Sequence, residues 1–147
     1  MMKMARPLAL TVALALMTGA AHAQSMTLQV SRDYYLVHGD KALMKGDMAA
    51  AARYFRQALG KNLTDAERVS AHNSLCAAEF SLGHYGAAKK ACTAAIKADR
   101  GYWKAYVNRG NAQRALGDKE AALADYCAAH ALEPRKVKGP FVHQCPA

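Results

Sequence analysis

The chain has 147 residues, 52% hydrophobic and 21% charged, with a formal net charge of +9. That length suits one domain with a modest core. Its longest apolar run, near the start, is about half of the ~20 residues that a bilayer-spanning helix requires, which argues against a membrane anchor.

In chain order, residues 1–23 read as an export signal. Lys3 and Arg6 give a positive start, Leu8 to Met17 an apolar core, and Ala21-His22-Ala23 a small-residue cleavage pattern before Gln24. The reading is a chain cut after Ala23 and delivered to the periplasm or the exterior, with no membrane span left. Without Lys3 and Arg6, 18 basic and 11 acidic residues remain, a net +7. In the cytosol such an excess would suggest nucleic acid. Outside it, the excess fits acidic partners, anionic envelope surfaces or a solvated basic surface that aids solubility, and no nucleic-acid partner is expected. Four cysteines, Cys76, Cys92, Cys127 and Cys145, lie beyond the signal. An even count in an oxidising compartment is a disulfide pattern, and the lack of C-x-x-C excludes a thiol-exchange, zinc-ribbon or c-type haem motif.

Past residue 30 the chain is Ala-rich with few β-branched residues, which favours helix throughout. Gly46-Asp47, Gly83-His84 and Gly117-Asp118 punctuate it at intervals of 37 and 34 residues. A near-constant period of that size marks a stacked-repeat protein. On this register the first unit offers Tyr35, Gly39, Ala51 and Phe55, and the third offers Tyr106, Gly110, Ala122 and Tyr126. The second offers His72, Cys76, Ala88 and Cys92. Small residues at Gly39, Ala51, Gly110 and Ala122 let two antiparallel helices approach closely, while the larger residues fill the space around them. The pattern predicts helices near 32–45, 48–60, 65–82, 85–98, 102–116 and 119–132, with Thr64-Asp65-Ala66-Glu67 as a capping box opening the second unit.

This pattern resembles the tetratricopeptide repeat family, whose unit is about 34 residues. The resemblance covers residues 31–134, and the second unit departs from it at Cys76, Cys92 and Arg100. It implies an all-α, right-handed α-solenoid of three helical hairpins (six helices) with a short irregular C-terminal tail. The expected division is a signal peptide at 1–23, an N-terminal extension at 24–30, repeats at 31–63, 64–100 and 101–134, and a tail at 135–147.

Cys76 falls about as far before its turn as Cys92 falls after it, so the two lie at one height on facing helices and are expected to bond. Cys127 would then pair with Cys145 by elimination, letting Phe141 and Val142 cover the apolar face of the last hairpin. The alternative is a loose tail with an unpaired thiol. A zinc site from His72, Cys76 and Cys92 has ligand types in its favour. Against it, His72 sits where the family places a large buried residue, and Cys76 has Cys92 as partner. No metal and no cofactor are expected.

Serine or cysteine nucleophiles beside a base, Gly-rich phosphate loops and close carboxylate pairs on one helix face are all missing, so the chain is read as no enzyme. Asp33, Asp40 and Asp47 recur at sevens, where solvated charge is the ordinary explanation.

The resemblance also implies a concave groove lined by the first helix of each hairpin. The candidate peptide-binding residues are Asn73, Phe80, Lys104, Asn108, Asn111 and Arg114: the amides for an extended backbone, Lys104 and Arg114 for a carboxylate. The family's carboxylate-clamp subgroup wants Lys and then Asn in its first repeat, where this chain has Leu36 and Asp40. Recognition of chaperone C-termini is therefore not carried over. The expected function is that of a periplasmic adaptor binding a protein segment, in envelope assembly or protein maturation. A self-associating structural module with no groove ligand is the alternative.

Overall fold

Alanine carries the best helix propensity, and here it also sits wherever two helices touch. The computed structural model describes residues 34–146, so the expected signal at 1–23 and the extension at 24–30 lie outside the described residues. The helices are α1 (34–44), α2 (Met48–Leu59), α3 (Asp65–Ser81), α4 (Tyr85–Ala98), α5 (Trp103–Ala115) and α6 (Lys119–Leu132). A single 3-10 turn, Pro140–Gln144, follows. No strand occurs among the described residues, and none of their helices is long and apolar enough to cross a membrane. The helix ends within the described residues lie within about two residues of the sequence expectation.

Each hairpin closes on a glycine with positive φ: 75° at Gly46, 78° at Gly83 and 87° at Gly117. An L side chain is strained in that conformation, which ends one helix and turns the chain into the next. In the first and third hairpins the following residue then caps, whereas His84 in the second makes no side-chain cap. Asp47 accepts from the Ala50 N–H at 2.9 Å, and Asp118 from that of Ala121 at 3.1 Å. Thr64 and Glu67 form the reciprocal capping box ahead of α3, with the Thr64 N–H donating to Glu67 at 2.7 Å.

Within each hairpin the contact depends on small side chains. Ala51 and Ala88 are 0% exposed and Ala122 is 2% exposed. A Cβ placed on Gly39 would lie 2.8 Å from the Phe55 ring, and one on Gly110 would lie 2.7 Å from the Tyr126 ring. In both hairpins an aromatic of the second helix packs against bare backbone of the first. In the middle hairpin Cys76 takes the glycine's place and Cys92 the aromatic's. Both are fully buried and bonded to each other, with their Cα atoms 5.3 Å apart.

Two buried carboxylates tie the units together. Glu79 of α3, 2% exposed, accepts from Arg56 of α2 and from His84 Nδ1 (2.9 Å) at the turn into α4. Asp125 of α6, also buried, takes a two-pronged bond from Arg109 of α5, both distances 2.7 Å. Arg109 reaches on to the Thr93 hydroxyl of α4 at 3.4 Å. The pair thus spans three helices and joins the second hairpin to the third.

Two stability effects follow from these contacts. Asp125→Ala strands the half-buried Arg109 guanidinium and is expected to lower the unfolding free energy by about 3 kcal/mol in urea titrations. The double change Cys76→Ala/Cys92→Ala opens a loop spanning a sequence separation of 16 and is expected to cost about 3 kcal/mol by the same measurement.

Candidate binding groove

The first helices, α1, α3 and α5, line one face of the stack, and the amides chosen from the sequence meet on it. Asn108 of α5 donates through Nδ2 to Asn73 Oδ1 of α3 at 3.0 Å, bridging consecutive repeats across the groove floor. The Asn73 amide nitrogen and the Asn108 carbonyl oxygen have no partner among the described residues. Asn111 differs from its sequence reading as an amide open to a backbone: its Oδ1 accepts from the Tyr126 hydroxyl at 2.8 Å. Phe80 is half-buried, packed on the core and against Tyr85 with ring centroids 5.4 Å apart. Lys104 is exposed, its Nζ 5.9 Å from the Trp103 ring centre. Arg114 is exposed and pairs with no carboxylate among the described residues. At the other end of the groove, partial burial raises the Asp40 carboxyl above its usual 3.8. Asp33, the other acid expected there, lies outside the described residues.

The tail takes the expected course in part: the Cys127–Cys145 bond is present and holds it on α6, but it leaves some of the apolar end open. Phe141, expected to cover that end, turns toward the groove and lies against Tyr126, ring centroids 5.0 Å apart. The cause is its double tether. Cys127 is bonded to Cys145, Cα atoms 5.4 Å apart, and His130 Nδ1 donates to the Val137 carbonyl at 2.7 Å. Held at both points, the segment between forms a wall beside α5. Between wall and helix is a cleft of about 360 Å³, with Trp103, Val107 and Asn111 on one side, Val137 and Phe141 on the other, and Tyr126 between them. Arg114, Lys136 and Lys138 also line it. Burial raises the Tyr126 phenol above its ordinary value of 10 against the opposing pull of Arg114, so the hydroxyl stays neutral and donates. The end face itself is only partly covered. Leu123, Ala124 and Ala131 of α6 border a second, largely apolar cleft of about 540 Å³ with Cys145 and Pro146.

Of the residues chosen from the sequence, Asn111 and Arg114 line this cleft; Trp103, Tyr126 and the tail residues that line it with them were not chosen. The alternation Lys136-Val137-Lys138 was the available signal, an apolar residue set between two cations. His72 is not gathered with other ligand types. Cys76 and Cys92 are bonded to each other, and no group of three His, Cys, Asp or Glu side chains fit for a metal occurs among the described residues.

With this geometry in hand, the likeness to known proteins is specific. Residues 104–136, most of the third hairpin and the start of the tail, match the tetratricopeptide repeat family. The described residues have the all-α tetratricopeptide-repeat fold. The chain superposes on the first tetratricopeptide domain of Spaghetti (RPAP3), solved bound to the HSP90 peptide SRMEEVD, with a TM-score of 0.68 and 24% identity. That match covers 78% of this chain and 86% of the other. The Arabidopsis OM64 tetratricopeptide domain gives a TM-score of 0.69 at 23% identity, covering 80% and 92%. Among curated proteins, mouse FK506-binding protein-like is 33% identical over 102 residues, 66% of this chain. The matched stretch spans 29% of that relative's length.

One titration effect belongs to α3. His72 Nδ1 is buried without a partner, and burial, then Arg68, holds the ring's pKa below 6.5. The unfolded chain therefore takes up a proton that the folded chain refuses, and stability falls as pH drops through about 6.5. His72→Gln is expected to flatten the loss in urea midpoint between pH 7.5 and 5.5. An unchanged slope would assign the loss to other groups.

Proposed function

We propose that the chain is an exported, periplasmic adaptor that holds a segment of another protein in its concave groove, serving envelope assembly or protein maturation. The observation that carries this reading is the continuous polar face built by Asn73, Asn108 and Arg114 on successive first helices, with a partly apolar cleft at its end. Amides on rigid helices suit an extended backbone, and a cleft beside them suits a side chain. The RPAP3 domain, of the same fold, was solved with a peptide bound, which supports a peptide as the class of ligand. The peptide's identity does not transfer, because Leu36 and Asp40 stand where a carboxylate clamp needs Lys and Asn. Export is supported by the pattern at 1–23 and by two buried or half-buried cystine bridges, which suit an oxidising compartment.

A second reading, self-association without a groove ligand, is favoured by one observation, the open apolar cleft on α6. The two separate in one experiment. A photo-crosslinking amino acid is placed at Ala77, one helical turn after Asn73 on α3, or at Asn108, and at exposed Lys97 on α4 as a control, in the exported protein. Adducts to a different protein from 77 and 108, absent from 97, are the expected result. Equal labelling from all three sites, or adducts only to a second copy together with a dimer by light scattering, would overturn the adaptor reading.

A further inference from the structure

The cleft between the third hairpin and the tail has a chemistry of its own, and the adaptor reading leaves that chemistry unassigned. Its walls are apolar and aromatic: Trp103, Val107, Tyr126, Val137 and Phe141. Its charged lining residues are all cationic: Arg114, Lys136 and Lys138. Lys136 has an acidic neighbour, Glu133 at 3.4 Å. Arg114 and Lys138 pair with no carboxylate among the described residues. At about 360 Å³ the cavity is at the small end of the ~300–1,000 Å³ typical of ligand sites. That is space for one large side chain, not for a helix.

We propose that this cleft is a side-chain pocket for an acidic segment of the protein partner: one bulky apolar residue enters between Val107 and Phe141, and flanking carboxylates meet Arg114 and Lys138. The proposal rests on the groove reading above and adds the partner's chemistry to it. Charge complementarity selects the occupant. An apolar residue with basic neighbours would face uncompensated repulsion from the two unpaired cations, whereas acidic neighbours relieve it. A guanidinium presents a fork that a carboxylate can meet with two hydrogen bonds, and the ammonium on the opposite wall fixes a second acid. The pocket is also held open in advance. Its tail wall is fastened by the Cys127–Cys145 bridge and by His130 on the Val137 carbonyl, so little ordering remains to be done on binding. The site differs from a carboxylate clamp between first helices, because half of its wall is tail.

The protein carries its own reporter. Trp103 is the single tryptophan of the chain and lines the pocket. The test titrates the disulfide-bonded protein from Gln24 onward with three synthetic octapeptides, following Trp103 fluorescence. The first is rich in Asp and Glu around one Phe, the second has that Phe replaced by Ala, and the third has the acids replaced by Lys. Saturable binding of the first is expected, weakening as salt approaches ~1 M, where charges screen within about 3 Å. The second should bind about tenfold more weakly and the third should give no saturation. Lys138→Glu, at an exposed position, should weaken the first peptide about tenfold and gain response to the third. Arg114→Glu should do the same, and unchanged helical circular dichroism confirms that both variants remain folded. Equal binding of the first two peptides would overturn the side-chain pocket. Binding insensitive to both charge reversals would overturn the assignment of Arg114 and Lys138. Crosslinks from 77 and 108 that persist alongside either result would leave the adaptor reading standing and sink the pocket alone.

Discussion

Everything in this molecule depends on how closely two helices can approach when one of them offers no side chain at the point of contact. At Gly39 and Gly110 an aromatic ring from the partner helix rests where a Cβ would otherwise stand. Ala51, Ala88 and Ala122 leave equally little between the backbones. That spacing sets how far each hairpin opens, and successive openings set the curvature that gathers α1, α3 and α5 on one face. The middle hairpin reaches the same closeness by another route. A cystine is short enough to sit between the helices, and it replaces the directional fit of a ring on a glycine with a bond.

Polar groups then decide how one hairpin docks on the next. Glu79 and Asp125 are buried acids, a costly choice unless each is fully partnered. Each is: Arg56 and His84 converge on the first, and Arg109 grips the second with two donors while reaching Thr93. Apolar faces between Ala-rich helices are smooth and would slide at little cost. A two-pronged arginine admits only one relative placement, so these pairs give the stack its register more than its net stability.

How much of this was legible in the residues follows from the same distinction. The turns, the capping box and the small-residue contacts are local or periodic, so Gly83, Thr64 and Ala122 announce themselves. The bond between Cys76 and Cys92 was readable because both positions could be counted from one turn. Asp125 and Arg109 were not, because a charged residue on a helix is ordinarily solvated and its partner lies 16 positions away with no motif between them. The groove amides were found as a face, but that Asn73 and Asn108 would bond to each other, and that Tyr126 would occupy Asn111, depends on interhelical distances that periodicity does not supply. The tail was hardest. Nothing between Pro134 and Pro146 repeats, and Phe141 gives no sign of which side of α6 it will choose.

The cystine in the middle hairpin bears on how the stack comes apart. A solenoid resembles a row of tiles, each touching only its neighbours, and thermal opening ordinarily starts anywhere that neighbours are weak. Here the central tile is riveted. Its two rods cannot swing away from each other, so opening is confined to the outer tiles, which peel from a core that stays folded. The amide of Asn73 belongs to that riveted core and its bonded neighbour Asn108 to a tile that peels, so the seam across which they meet is one of the two along which the stack parts.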